Sequence, residues 1–357
     1  MKTLLLSPEL FLAEGGIARI MRLYLKALCE NAAPGDTVGS LVLNDRRGPE
    51  PRLPLYSNHS LVINEGCERS KFSFTRATLA AAEDAQRIVC AHLHLLPVAW
   101  LAQRFNSRLR YYLVAHGIDV WRPYSALEVR ALLDAERILC ISDYTRRQML
   151  RFCPMLDPAR LVIVPNTLDP QFVPPPVPPV REPGGPRVLT VGRLTTVDTY
   201  KGFDTLIEAM PAFRARHAGA TLRVVGGGDD LPRLRGLVTH LGLTEAVTFT
   251  GIIDDAALRA EYAACDLFAL PSRKEGFGLV FLEAMTYGKA CLGARSGGVP
   301  EVINDDVGVL ADYGNIPEIA SALSDLVTHP RDPAACRRHA DSFAFPAFKR
   351  RLAAALA

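Results

Sequence analysis

Apolar residues fall into short runs of four to six, separated by longer stretches in which they recur every three or four positions. The early runs are Lys2–Leu6, Val38–Leu43, Arg87–Ala91, Arg110–Ala115, Arg137–Ile141 and Leu161–Val164. The later ones are Arg187–Val191, Thr221–Val225, Val247–Thr250, Asp266–Leu270 and Ala290–Gly293. They are rich in Val, Leu and Ile, as strands buried on both faces of a parallel sheet are. Stretches such as Gly16–Glu30, Phe203–Arg216 and Asp254–Ala263 carry helical periodicity. Strands alternating with helices predict an α/β chain of doubly wound sheets.

One segment breaks the pattern. "DPQFVPPPVPPVREPGGPRV" (Asp169–Val188) has too much proline for a helix or a central strand and reads as a stiff connector. It divides the 357 residues into an N-terminal Rossmann-like domain over 1–168, a linker over 169–187 and a second Rossmann-like domain over 188–340. The tail 341–357 reads as a final amphipathic helix. In such folds ligands bind at the carboxyl ends of the strands, which predicts a site in the cleft between domains.

Composition narrows the class. With 49% apolar and 22% charged residues the chain is an ordinary globular protein. No apolar run approaches the ~18–20 residues needed to span a bilayer, and "MKTLLLSPEL" does not resemble a signal peptide. Eight cysteines without a CxxC pair fit reduced thiols, so a cytoplasmic location is expected. The net charge of +3 is too small to point to nucleic acid. Residues 1–168 carry +5 and the remainder −2, a mild bias that a solvated face explains and that an anionic membrane surface would also suit.

Candidate chemistry clusters after the linker. In "VGRLTTVDTYKGFD", Arg193 follows a strand and Lys201 opens the next helix, a fork and a point charge suited to a diphosphate. In "VVGGGDDL", Gly227 lies in a turn that either brings backbone N–H groups to a phosphate or base, or simply links strand to helix. It is not the dinucleotide fingerprint, for GxGxxG is missing. In "PSRKEGFGLVFLEAM", Glu275 reads as standing at the C-terminal end of the strand Asp266–Leu270, with Glu283 eight residues later, one turn into an apolar helix that begins near Leu279. A carboxylate buried there needs a bonded partner, either a core cation or the hydroxyls of a ligand. Free amides from Phe277 onward would face an anion at that helix start. In "CAHLHLL", Cys90, His92 and His94 would share one strand face, more plausibly packed or cleft-facing than metal-binding.

Together these segments resemble retaining glycosyltransferases of the GT-B fold, most closely family GT4. Glu275 and Glu283 match the EX7E motif, "EGG" (Glu14–Gly16) the glycine loop, and "AHGID" (Ala115–Asp119) the histidine motif. "ISDYTRRQM", "VPNTLDPQF", the Arg193/Lys201 pair and the tail "SFAFPAFKRRL" follow in the family's order. Thr167 replaces a common glycine, and "TTVDTY" is longer than in many relatives. The resemblance implies two Rossmann-like domains facing across a cleft, with the C-terminal helix crossing back to the first.

It further implies that Arg193 and Lys201 bind the donor diphosphate in place of a metal ion, and that Glu283 holds the ribose. Glu275 would bind the donor sugar with the amides of Gly276, Phe277, Gly278 and Leu279. Gly15 and Gly16 would admit the phosphates, His116 would lie near the reaction centre, and His94 would line the acceptor side. The expected activity is transfer of a hexose from a UDP- or GDP-sugar to a glycan, lipid-linked or small-molecule acceptor. No cofactor, metal or nucleic acid is expected, and peripheral contact at the inner membrane face would go through the basic first domain. A nucleotide-sugar epimerase and a non-catalytic GT-B binding module are the alternatives.

Overall fold

The computed structural model describes residues 1–12, 15–174 and 184–357; the middle of the expected linker, residues 175–183, and Glu14 of the glycine loop lie outside these residues. One compact unit comprises Met1–Asp169 with Phe345–Ala357, the other Pro170–Ala344.

The first unit holds a seven-stranded sheet. Its strands are β1 (Lys2–Ser7), β2 (Thr37–Val42), β3 (Leu61–Gly66), β4 (Arg87–Cys90), β5 (Arg110–Ala115), β6 (Arg137–Cys140) and β7 (Leu161–Ile163). Their order is β3-β2-β1-β4-β5-β6-β7, with every pairing parallel. The period of two divides each strand between two cores. Leu4, Leu6, Ile88 and Leu113 enter one core with Phe74 and Leu132. Leu5, Val89, Tyr112 and Val114 enter the other with Tyr24 and Phe348.

The second unit holds β8 (Arg187–Val191), β9 (Thr221–Val225), β10 (Val247–Gly251), β11 (Leu267–Leu270), β12 (Ala290–Ala294) and β13 (Gly308–Ala311). The order is β10-β9-β8-β11-β12-β13, again all parallel. Together the two sheets give the GT-B fold class expected from the resemblance.

Helices Gly16–Glu30 and Phe203–Arg216 match the sequence reading residue for residue, and Asp255–Ala264 is shifted by one. Two strands were missed, β3 and β13, both at sheet edges. Every cysteine is buried and unpaired, and no described helix is long and apolar enough to cross a membrane.

The C-terminal helix Phe345–Leu356 packs within the first unit. Phe348 meets Tyr24 edge-on at 4.9 Å between ring centroids, and both are fully buried. Its last carbonyls are capped by cations: Arg137 Nη1 donates to Ala355 O at 2.8 Å and Arg87 Nη2 to Leu356 O at 2.8 Å. Phe348→Ala should therefore cost the first unit about 3–5 kcal/mol. Denaturant titration with tryptophan fluorescence checks this, since Trp100 and Trp121 both lie in that unit. An unshifted midpoint would mean the helix is dispensable.

Candidate functional site

In each sheet the chain reverses its direction of travel beside the first strand, between β8 and β11 in the second unit. Loops leaving these two strands diverge to opposite faces and leave a crevice at their carboxyl ends. Arg193 follows β8, and Glu275 lies five residues beyond β11 rather than at the strand end itself. Lys201 closes the 3-10 turn Thr196–Lys201, and the helix starts only at Phe203.

The loops carry two ion pairs. Lys201 Nζ donates to Glu275 Oε1 at 2.8 Å, with side chains only 15% and 17% exposed. Arg193 Nη2 lies 3.0 Å from Asp198 Oδ2. Asp198 also accepts from Thr195 Oγ1 at 2.8 Å and from the Tyr200 hydroxyl at 2.7 Å. Burial would raise the Asp198 carboxyl, but the Tyr200 and Thr195 bonds and the Arg193 and Lys201 charges hold it below its ordinary value. Lys274 adds a third cation, its Nζ 5.6 Å from the Tyr200 ring centroid. Sequence reading missed Asp198, Tyr200 and Lys274.

Glycines let these loops touch backbone to backbone. Gly202 has φ +74°, and a Cβ there would lie 2.5 Å from Pro271 O. Gly226 (φ +134°) and Gly228 (φ +156°) press on Gly192 O and Leu194 O, leaving about 2 Å for any Cβ. Gly227 O accepts from Leu194 N at 3.0 Å. The glycine turn thus serves the packing of two loops, whatever it binds besides.

Gly276 is half-exposed, and Gly278 (φ +95°) precedes the helix Leu279–Thr286. Phe277 turns its ring into the core against Phe343, so only its backbone is available to a ligand. Glu283 is 8% exposed and accepts from the Tyr262 hydroxyl at 2.8 Å. Tyr262 belongs to an aromatic group with Phe172, Phe268 and Tyr287. No local pattern joins positions 262 and 283, so this contact was not legible.

In the first unit the reversal falls between β1 and β4. Gly15 caps the helix Gly16–Glu30 with extended backbone, and a Cβ on Gly16 would meet nothing within 4 Å. Strand β4 ends at Cys90, so His92 and His94 sit on a 3-10 turn instead of sharing its face. The Cys90 thiol, pushed up to about 12 by burial, donates to His92 O. Among the described residues no such group is placed to hold a metal ion.

His116 follows β5 and shares a hydrogen bond with Ala91 O at 2.9 Å, which fixes Nε2 as the protonated nitrogen. Burial, with His92 beside it, lowers its pKa to about 3, so the ring is neutral near pH 7. His92 is likewise lowered to about 4, by burial first and then by His94 and Arg122. Asp119, also missed, is buried among the backbone N–H groups of residues 116–120, and burial outweighs them and raises its carboxyl to about 7. His94 Nε2 lies 3.3 Å from Arg122 Nη2 beside a cavity of about 520 Å³ that Leu43, Phe74, Val98, Lys71 and Glu128 help to line.

Family models match both units. The "Glycosyltransferase Family 4" model covers residues 15–172 and "Glycosyl transferases group 1" covers 178–343. A GDP-mannose-dependent alpha-(1-6)-phosphatidylinositol monomannoside mannosyltransferase of Mycolicibacterium smegmatis is 35% identical over 255 residues. That match covers 66% of this chain but only 65% of the relative's length. An alpha-maltose-1-phosphate synthase of Mycobacterium tuberculosis is 28% identical over 82% of this chain and 79% of its own. Among solved structures, the lipopolysaccharide outer core galactosyltransferase WaaB superposes with a TM-score of 0.76 at 17% identity, covering 100% of this chain and 99% of its own. Anabaena HepE in complex with UDP-glucose gives 0.77 at 20% identity, with the same coverage.

The His94 partner Arg122 is itself fixed by Glu128, whose Oε1 it meets at 2.6 Å. Glu128 also closes a capping box with Ser125. Arg122 and Ser125 outweigh burial and lower the Glu128 carboxyl to about 2. A depressed carboxylate stabilises the fold above its unfolded value of 4.5 and loses that contribution as pH falls toward 2. Glu128→Gln should therefore cost about 2 kcal/mol at pH 7, with the gap to wild type closing below about pH 4. Thermal midpoints of both proteins between neutrality and acid check this. A gap that stays constant with pH would refute it.

Proposed function

Since the chain belongs to the group 1 glycosyltransferases of family 4, we propose that it moves a hexose from a UDP- or GDP-linked sugar to a hydroxyl acceptor, with retention at the anomeric carbon. The observation that carries this reading is the Lys201–Glu275 pair beside Arg193, set where the second sheet reverses. A diphosphate presents two negative groups, and Arg193 and Lys201 offer a fork and a point charge for them. Glu275, freed in part from Lys201, accepts from the sugar hydroxyls, with the amides of Gly276–Leu279 alongside. Glu283, held by Tyr262, accepts from the ribose. Gly227 borders the base side, and Gly15 and Gly16 leave room for phosphate oxygens.

No carboxylate in the set is assigned as nucleophile. The leaving phosphate assists departure of the acceptor proton on the same face, while Arg193 and Lys201 stabilise the developing charge. His116 serves as a neutral group near the anomeric carbon, and His94 lies on the acceptor side. The mannosyltransferase relative acts on a phosphatidylinositol monomannoside by its name, which favours a glycan or lipid-linked acceptor here. A cytoplasmic enzyme touching the membrane periphery suits such an acceptor.

Two outcomes test the assignment. Turnover should survive EDTA, because the two cations supply the positive charge; loss in EDTA with recovery on adding Mg²⁺ or Mn²⁺ would contradict it. Separately, Glu283→Gln should retain the fold and weaken binding of bare UDP or GDP about ten- to a hundredfold, the worth of one charge-assisted bond. Glu275→Gln should depress turnover more than nucleotide binding, since its partners belong to the transferred sugar. Calorimetry with bare nucleotide and hydrolysis of UDP-glucose and GDP-mannose separate these effects. Unfolding of Glu283→Gln with unchanged affinity in the folded fraction would assign Glu283 a purely structural role. Formation of an epimer from donor alone would favour epimerase chemistry.

A further inference from the structure

We propose that Asp198 is a positioning residue that sets Arg193 in the orientation a diphosphate requires, an inference that rests on the donor-binding reading above. The loop that carries it, "TTVDTY", runs between Arg193 and Lys201. Its exposed tip is Val197, yet the next residue, Asp198, is only 5% exposed.

A buried carboxylate needs compensation from every side. Asp198 receives it from the Thr195 hydroxyl, the Tyr200 hydroxyl and the Arg193 guanidinium. The first two come from its own loop, which is itself clamped. Thr196 is bound through its N–H and its hydroxyl to Asp229, both at 2.9 Å. Tyr200 O accepts from Arg273 N at 2.8 Å. The carboxylate is therefore a fixed point, and Arg193 is the mobile partner.

Arg193 is held by one edge. Its side chain is 72% exposed, and its Nη2 lies 3.0 Å from Asp198 Oδ2. A guanidinium has five N–H donors in a rigid fork, so most of the fork remains directed to solvent. An anchored arginine has already lost much of its rotamer freedom before a ligand arrives, which is preorganisation. The bound carboxylate also opposes diphosphate binding by its charge. Positioning and charge thus make opposite demands on a variant that keeps the shape and removes the charge.

Asp198→Asn is that variant. Donor hydrolysis of UDP-glucose and GDP-mannose gives kcat and KM, and calorimetry gives the affinity for bare UDP and GDP. These are measured for wild type, Asp198→Asn, Arg193→Gln and the double variant, with a thermal midpoint for each. Positioning predicts that Asp198→Asn lowers kcat about tenfold while nucleotide affinity moves less than about threefold. In the Arg193→Gln background the same change should add less than about twofold, because the effect acts through the guanidinium. An unchanged or raised kcat, with tighter nucleotide binding, would mean Asp198 only neutralises charge and would overturn the proposal. Additive losses in the double variant would overturn it too.

If Asp198→Asn fails to fold, Tyr200→Phe removes one of the three supports of the carboxylate and leaves the charge. It should lower kcat about threefold in the wild-type background and not in Arg193→Gln. No change in either background would sink the idea. A wild-type protein that neither binds nor hydrolyses these nucleotides would overturn both this inference and the functional reading. An active wild type with an unaffected Asp198→Asn overturns this inference alone.

Discussion

The second unit's site depends on one steric constraint, the direct contact of backbone with backbone among the loops that leave β8, β9, β11 and β12. Gly226 and Gly228 lie on the carbonyls of residues 192 and 194, Gly202 on that of Pro271, and Gly297 on that of Glu275. Gly298 N–H donates to Glu275 O at 2.8 Å and the Ser296 hydroxyl to Arg273 O at 2.8 Å. With a side chain at any of these glycines the loops would separate by an ångström or more. The Lys201–Glu275 pair would then lose its geometry, because it spans residues that only this closure holds together. The two stand 74 positions apart in the chain.

Closure also explains how so many charges coexist in a small, partly dry space. Each principal cation has its own carboxylate, Lys201 with Glu275 and Arg193 with Asp198. Lys201, Glu275 and Asp198 are largely buried, and each would be costly to desolvate unpaired. Paired, they are tolerated and held still. On the proposed reading the donor replaces part of these pairings: phosphate oxygens take up cation charge, and sugar hydroxyls take up Glu275. Exchange of partners within a fixed frame requires little reorganisation, which is the condition under which electrostatic stabilisation of a leaving group is effective.

How much of this was legible depends on the range of the interaction. Central strands were read because burial on both faces leaves an unbroken apolar run. The two missed strands lie at edges, where that pressure relaxes: "LVINEG" of β3 alternates in exposure and "GVLA" of β13 is short and opens with glycine. Helices 16–30 and 203–216 were read to the residue because amphipathic periodicity and the flanking glycines agree. At the site, Arg193, Lys201, Glu275 and Glu283 carry local signals of charge at strand ends or within apolar surroundings. Tyr262 and Asp119 carry none. Tyr262 is a core aromatic whose hydroxyl happens to face Glu283 across 21 positions. Asp198 was visible only as part of a loop without an evident role, because its importance lies in burial, a tertiary property.

The first unit answers a different electrostatic problem with different means. Its excess of cations over carboxylates is real in composition, but it is not gathered where its sheet reverses. There His116 and His92 are neutral, and Arg122 is matched by Glu128. Several of the unit's other arginines serve the fold, capping the C-terminal helix through Arg87 and Arg137 or the loop before β6 through Arg160. A cavity with apolar walls and a few polar groups suits a partner recognised by both hydrocarbon and hydroxyls. On the proposed reading that partner is the acceptor. The two halves then differ in kind: one presents paired charges for a diphosphate, and the other sets two neutral imidazoles, His92 and His116, near a cavity whose carboxylate, Glu128, is already bonded to Arg122.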